Sequence, residues 1–175
     1  MIAGMALLKG LPPILPKSPR ILILGSMPSA RSLAAGEYYA HPQNAFWRLL
    51  AEVLQTPPPA GYAAQKAMAA RAGIAVWDVL AACRRTGSMD SAIDAESEKA
   101  NDIAALLARR PKIAAVALNG GRAKKCFARH IQLPENLPPP RMLFLPSSSP
   151  ANARMRFSEK AAAWMQIAPF VRRPL

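Results

Sequence analysis

The 175-residue sequence predicts a three-layer α/β fold, with a four-stranded, mainly parallel sheet flanked by helices. Three observations predict it. Short apolar runs bounded by glycine or polar residues recur at 21–24, 74–77, 113–118 and 142–145, each the length of a buried strand. Between them lie stretches with helical periodicity, so strand and helix alternate as parallel crossovers require. Polar, glycine- and serine-rich segments follow the strands, and in such sheets the loops after the strands' carboxyl ends bind ligands.

Residues 1–20 are proline-rich and are expected to run over the surface as an extended arm. Ile21 to Leu24 form the first strand, closed by Gly25. After a decorated loop to Asn44, apolar Phe46, Leu49, Leu50, Val53 and Leu54 trace one helical stripe, so a helix is expected from about Ala45 to Gln55. Asn44 stands where an N-cap side chain would sit, and Thr56 with three prolines ends the helix. Tyr62 to Ala72 is alanine-rich and helical, with Gly73 beyond its end, and Ile74 to Trp77 is the second strand. Asp78 to Ala95 reads as the longest irregular connection. Ser97 is expected to cap the helix carrying Ile103, Leu106 and Leu107, which ends at Arg109-Arg110 before Pro111. Ile113 to Leu118 is the third strand, followed by Asn119-Gly120-Gly121 and a basic helix, Arg122 to His130. Met142 to Leu145 is the fourth strand, and Ser158 is expected to cap a last helix, Glu159 to Ile167. Neither repeats nor a second domain are visible, so 1–175 reads as one domain with 1–20 as its arm.

Composition narrows the function. Lys plus Arg number 23 against 10 acidic residues, a formal charge of +13. So basic a chain is expected to meet nucleic acid, the alternative being a charge that serves solubility alone. Apolar residues are 51%, yet no run approaches the roughly 18 needed to span a bilayer, so no membrane span is expected; two distant cysteines read as a reduced, cytoplasmic chain, nucleoid-associated when on DNA. Two distant cysteines and two histidines offer neither a zinc site nor a disulfide framework, so no metal and no cofactor are expected.

Right-handed crossovers put the segments Gly25–Asn44, Asp78–Asp94, Asn119–Gly121 and Pro146–Arg156 on one sheet edge, lining one crevice. Gly25-Ser26-Met27-Pro28 is neither a Walker loop nor a dinucleotide fingerprint, and no serine nucleophile elbow is present. What remains is an amide, aromatics and glycine-rich backbone on a basic protein.

The segments GSMPSARSL, YYAHPQNAFW, LNGGRA and LPSSSPANA together resemble the uracil-DNA glycosylase superfamily, and within it the hypoxanthine-DNA (deoxyinosine) glycosylase branch, with the mismatch-specific uracil glycosylases as near relatives. The resemblance covers most of the chain from Ile21 onward. It implies the fold of that superfamily, a DNA substrate with deaminated bases, a base flipped from the duplex, and a chain acting as a monomer. It also implies roles. In the mismatch-specific relatives a hydrolytic Asn stands where this chain has Met27, and a thioether is too weak an acceptor to orient water. The branch it resembles uses the Asn of its HPxNxFW segment, here Asn44, as the water-positioning residue; capping of the helix is the alternative, and the two are compatible. Ser29 stands where the branch tends to have glycine.

Gly25, Ser26, Met27 and Pro28 would then form one wall of the base site. Tyr39 falls where an aromatic underlies the flipped base, or it packs as a core tyrosine. His41 either donates to the leaving base or braces its loop, and Asp78 either accepts from the base or caps a turn. The loop Pro146 to Ala153 resembles the one that enters the duplex. Ser147, Ser148 and Ser149 would contact phosphates, Pro150 and Ala151 would wedge the stack, Asn152 would meet the orphaned base, and Arg154 and Arg156 would meet phosphates. An ordinary Ser/Pro turn is the alternative. No lysine stands in these motifs, so the enzyme is expected to be monofunctional. A silent nucleic-acid-binding module and a small-molecule nucleoside hydrolase are the competing readings.

Overall fold

The computed structural model describes residues 6–172. Four parallel strands, β2 (Ile21–Gly25), β3 (Ile74–Asp78), β6 (Ala115–Asn119) and β7 (Arg141–Leu145), form a sheet in the order β3-β2-β6-β7. Side chains alternate faces along a strand, and here both faces are buried, so every residue of central β2 is apolar or glycine. Ile21 and Ile23 pack into one core with α2 (Phe46–Leu54), α3 (Tyr62–Ala72) and α6 (Phe157–Trp164). Leu22 and Leu24 pack into the other, with α4 (Ile103–Arg109) and α5 (Gly121–His130). The three layers follow from this two-residue alternation. Each fully buried leucine or isoleucine in β2 contributes about 2 kcal/mol of apolar burial.

A second sheet was not expected. β1 (Leu8–Lys9), β4 (Leu80–Cys83) and β5 (Lys99–Ala100) form an antiparallel three-stranded unit in the order β1-β4-β5. The described part of the arm is extended, as expected, but it pairs as well: Leu8 with Cys83, and Ile14 by a bridge with Val76. Residues 1–5 of the arm lie outside the described residues. The connection after Asp78 is therefore irregular only beyond Cys83, with short 3₁₀ turns at Asp90–Ala92 and Ala95–Ser97. The first loop also contains a helix, α1 (Ala30–Ala35), capped by the Ser29 hydroxyl accepting from the Ser32 N–H.

Two expected caps are corrected. Asp102, not Ser97, caps α4 by accepting from the Ala105 N–H; Ser97 instead accepts from Arg84 and ties the loop to β4. The last helix begins at Phe157, one residue before Ser158, and Glu159 reaches back to accept from the Arg156 N–H at 2.6 Å. A carboxylate three residues into the first turn also complements the helix dipole.

Candidate active site

Because the four strands are parallel, their carboxyl ends share an edge. Asp78 is registered beside Gly25, and Asn119 beside Leu145. Gly25 is required there by contact: a Cβ on it would lie 2.4 Å from Asp78 Oδ1 and 3.1 Å from the Tyr39 hydroxyl. The floor of the site is thus bare glycine backbone with a carboxyl and a phenol against it.

Tyr39 reaches that floor at the cost of a left-handed backbone, φ +57°. Such a conformation costs a non-glycine residue about 1–2 kcal/mol, and the surroundings hold it. Its ring stacks on Phe46 at the start of α2, centroids 3.8 Å apart and 12° from parallel. Its hydroxyl accepts from Asn119 Nδ2 at 3.2 Å. One ring face is therefore taken by Phe46, and a stacked base would use the other. Burial, with the Asp78 charge adding to it, holds the Tyr39 phenol well above the usual tyrosine range. Tyr38 is a framework residue: its hydroxyl donates to the Leu11 carbonyl and its own carbonyl accepts from the Trp47 indole.

Asn119 was not among the expected site residues, yet it joins three loops. Its Nδ2 also donates to the Ser148 hydroxyl at 2.9 Å, and its Oδ1 accepts from the Ser148 N–H at 3.0 Å. The readable signal was an amide ending an otherwise apolar, buried strand. Gly120 follows at φ +96°, and a Cβ there would lie 2.9 Å from the Ser147 Cβ, so only glycine fits this close approach.

The Ser148 carbonyl accepts from the Ala45 N–H at 3.0 Å, which brings the last loop to the start of α2. Asn44 stands beside that junction and is half-buried. Its Oδ1 accepts from the Phe46 N–H at 3.0 Å, but the expected cap is corrected: Ala45 is the N-cap of α2, and Asn44 makes this contact from the residue before it. A carbonyl oxygen has two lone pairs, so one remains for a water. His41 braces the loop: its Nδ1 accepts from the Gln43 N–H and its carbonyl accepts from the Asn44 N–H.

In the first loop, Ser26 donates to Asp90 at 2.8 Å, and the Pro28 carbonyl accepts from Arg85 at 2.6 Å. Met27 is 6% exposed and packs into the core with Leu22 and Leu24. Its side chain is therefore packed inward, and a contribution to the expected wall of the base site falls to its backbone. Arg85 and Asp90, both in the stretch read as irregular, converge on Asp78. The Asp78 carboxyl is 4% exposed, and its Oδ2 is buried with no hydrogen-bond partner. Burial raises its pKa to about 8, the Asp90 carboxylate adds to the rise, and Arg85 opposes it.

The last loop is wired internally. Ser147 Oγ accepts from the Ser149 N–H, Ser149 Oγ from the Ala151 N–H, and Asn152 donates to the Ser147 carbonyl. Pro150 and Ala151 are exposed at its tip, Asn152 is half-buried, and Arg154 and Arg156 are exposed beyond it. Ser148 is corrected: it is 1% exposed and spent on Asn119, so it holds the loop and offers no hydroxyl to a phosphate. Of the two histidines, His130 belongs elsewhere, pairing with buried Glu98 at 2.6 Å beside Arg122. Among the described residues no group of three His, Cys, Asp or Glu side chains is placed to hold a metal ion.

A basic α/β protein whose polar residues gather at the carboxyl edge of a parallel sheet, with an amide at a helix start and a carboxyl against glycine backbone, belongs to a class that comparison with known proteins identifies. The family model of the uracil DNA glycosylase superfamily matches residues 12–168, and the chain belongs to that superfamily. It is 35% identical over 116 residues to a hypoxanthine DNA glycosylase of Methanosarcina acetivorans, covering 66% of this chain and 72% of that protein. It is 34% identical over 116 residues to a hypoxanthine DNA glycosylase of Methanosarcina barkeri, with the same coverage. A solution NMR structure of a candidate uracil DNA glycosylase from Methanosarcina acetivorans superposes with a TM-score of 0.75 at 29% identity, covering 94% of this chain and 99% of that one. No helix among the described residues is long and apolar enough to cross a membrane.

Proposed function

We propose that this chain is a monofunctional DNA glycosylase that excises deaminated bases, hypoxanthine ahead of uracil, after the nucleotide has turned out of the duplex. The observation that carries this reading is the convergence of Gly25, Asp78 and the Tyr39 hydroxyl on one floor, with Asn44 at the adjacent helix start. That floor presents a carboxyl and a phenol, packed on glycine backbone, to the edge of a flat ring. Asn44 suits a reaction whose transition state is an oxocarbenium-like sugar, because late attack by water needs positioning more than deprotonation. The positive end of α2 lies beside it. Hypoxanthine and uracil both present a carbonyl next to a ring N–H, an edge that the backbone N–H groups of 25–27 and the Asp78 carboxyl would address. Adenine's amine would meet donors there and leave buried polar groups unpaired.

The rest of the chain supports DNA as substrate. The exposed Pro150-Ala151 tip has the shape of a wedge, and Asn152 stands next to it for the orphaned partner base. Exposed Arg154 and Arg156 suit phosphates, and Arg156 is held by only a surface ion pair with Glu159. Lys160, beside this loop, donates to the Ser149 carbonyl and ties the loop to α6. Binding of DNA by one copy of the chain, with no cofactor, completes the reading.

Single-turnover rates on otherwise identical duplexes carrying hypoxanthine, uracil or adenine test it. Hypoxanthine should leave fastest, uracil more slowly and adenine not at all. Uracil leaving well ahead of hypoxanthine would overturn the substrate order, and turnover of free deoxyinosine with none of the duplexes would make the protein a nucleoside hydrolase.

A further inference from the structure

The reaction proposed above needs two things from the protein: a placed water and some means of stabilising the departing base. Asn44 addresses the first. A purine that leaves with the electron pair of its bond to the sugar is a poor leaving group unless it takes up a proton. The groups on the floor of the site differ in their ability to supply one. The Tyr39 phenol is held far above the neutral range by burial and by the Asp78 charge, so it keeps its proton. Asn119 is committed to Tyr39 and Ser148. His41 lies in the loop before α2, where the Gln43 N–H on its Nδ1 leaves its proton on Nε2.

Asp78 differs from all of these. It ends β3, its Oδ1 packs directly on the Gly25 backbone at the carboxyl edge of the sheet, and its Oδ2 is buried without a partner. A carboxylate left in that position would lack the hydrogen bonds that a buried charge requires, whereas a carboxylic acid is tolerated. We propose that Asp78 is the general acid of base release, donating its proton to the ring of the departing base as the bond between that ring and the sugar breaks. This rests on the glycosylase reading above and adds a residue to it.

The electrons and protons balance. The pair of the glycosidic bond passes into the purine, and the O–H pair of Asp78 stays on its oxygen. The proton moves to a ring nitrogen, and a neutral base departs. The carboxylate left behind faces a cationic sugar until water adds to it, and the proton that water sheds restores the acid through solvent.

The groups around Asp78 keep it protonated until that step. Burial is the largest cause of its raised pKa, about 8; Asp90, itself raised by burial and held by the Ser26 hydroxyl, adds to it, and Arg85 opposes it. Tyr38 and Tyr39, the other titratable groups facing it, remain neutral across the working range. At neutral pH the acid is thus mostly loaded, and close enough to pH 7 to transfer its proton efficiently. Asp90 acts only through Asp78, as a positioning charge.

The test is the pH profile of single-turnover hypoxanthine release from a duplex, from pH 5 to 10, for the wild type, Asp78→Asn and Asp90→Asn. The wild-type rate should be level below neutrality and fall about tenfold per pH unit above pH 8. Asp78→Asn should release base about a hundredfold more slowly at pH 7, with that alkaline limb gone and binding to a non-cleavable 2′-fluoro-deoxyinosine duplex within a few-fold of wild type. Asp90→Asn, which removes a neighbouring negative charge, should move the limb to lower pH; it decides the matter even where Asp78→Asn folds poorly. The lactam N–H of hypoxanthine also ionises in alkali, so an alkaline limb that persists unchanged in Asp78→Asn belongs to the substrate and overturns the proposal. So does a wild-type rate that stays level to pH 10, which would leave the glycosylase reading intact.

Discussion

Asp78→Asn should be more stable than wild type at neutral pH and above, by an amount that grows with pH up to the folded pKa. The Asp78 pKa rises from 3.8 to about 8 on folding, chiefly through burial. Between those values the folded chain holds a proton that the unfolded chain has released. Stability therefore falls as pH rises, by about 1.4 kcal/mol per pH unit. At pH 4 the loss is close to nothing, at pH 7 it is on the order of 4 kcal/mol, and beyond the folded pKa it levels off. Asparagine keeps the shape and cannot ionise, so it escapes this loss, while its new amide donor adds a pH-independent cost of about 1–3 kcal/mol. That cost cancels when one variant is compared with itself at two pH values. Urea denaturation of both proteins at pH 4.5, 6, 7 and 8 gives the comparison directly. The stability of Asp78→Asn relative to wild type should rise by several kcal/mol across the series, or roughly 10 °C in Tm at this chain length. A difference independent of pH would mean that Asp78 is an ordinary ionised carboxylate in the fold and would refute the reasoning. A more stable but slower variant is the trade expected where a strained site serves chemistry.

Asn44→Ala should slow excision about a hundredfold or more with lesion binding largely intact, and cost about 1 kcal/mol of stability because the Phe46 N–H loses its acceptor; single-turnover rates beside binding isotherms separate the two. Gly25→Ala drives a Cβ to 2.4 Å from Asp78 Oδ1, so it should destabilise by about 1–3 kcal/mol and reduce excision more than tenfold, read from urea melts and the same kinetics. Duplex binding should weaken steeply with salt, and Arg154→Ala and Arg156→Ala should each lower the slope of log K against log salt by about one.

The four parallel strands, the flanking helical layers and the helix at Phe46–Leu54 were legible because each rests on a pattern longer than its noise. Four apolar residues closed by glycine, a stripe at helical spacing and four repeats of the unit are hard to produce otherwise. The small sheet was not legible, since two of its strands are two residues long and Leu80–Cys83 has weak alternation. Helix α1 is six residues, too short for a period to register.

In the site, Asn44, Tyr39 and Asp78 could be singled out individually, but the coupling among them could not. Asn119 closes a network with residues 80 and 29 positions away, a relation carried only by the crossover topology. Arg85 and Asp90 lie in the stretch read as irregular, and their electrostatic effect on Asp78 depends on how β4 turns the chain back. Ser148 and its neighbour Ser147 are the same residue type, and only the fold decides which one faces inward.

Excision of a deaminated purine from DNA is read by chromatography of the small-molecule fraction after incubation with a duplex carrying one deoxyinosine. Free hypoxanthine should appear in amounts matching alkali-labile sites in the strand, and should disappear with Asn44→Ala. A duplex that is bound and left whole, with no free base at any enzyme concentration, would mean that this site does not cut the glycosidic bond.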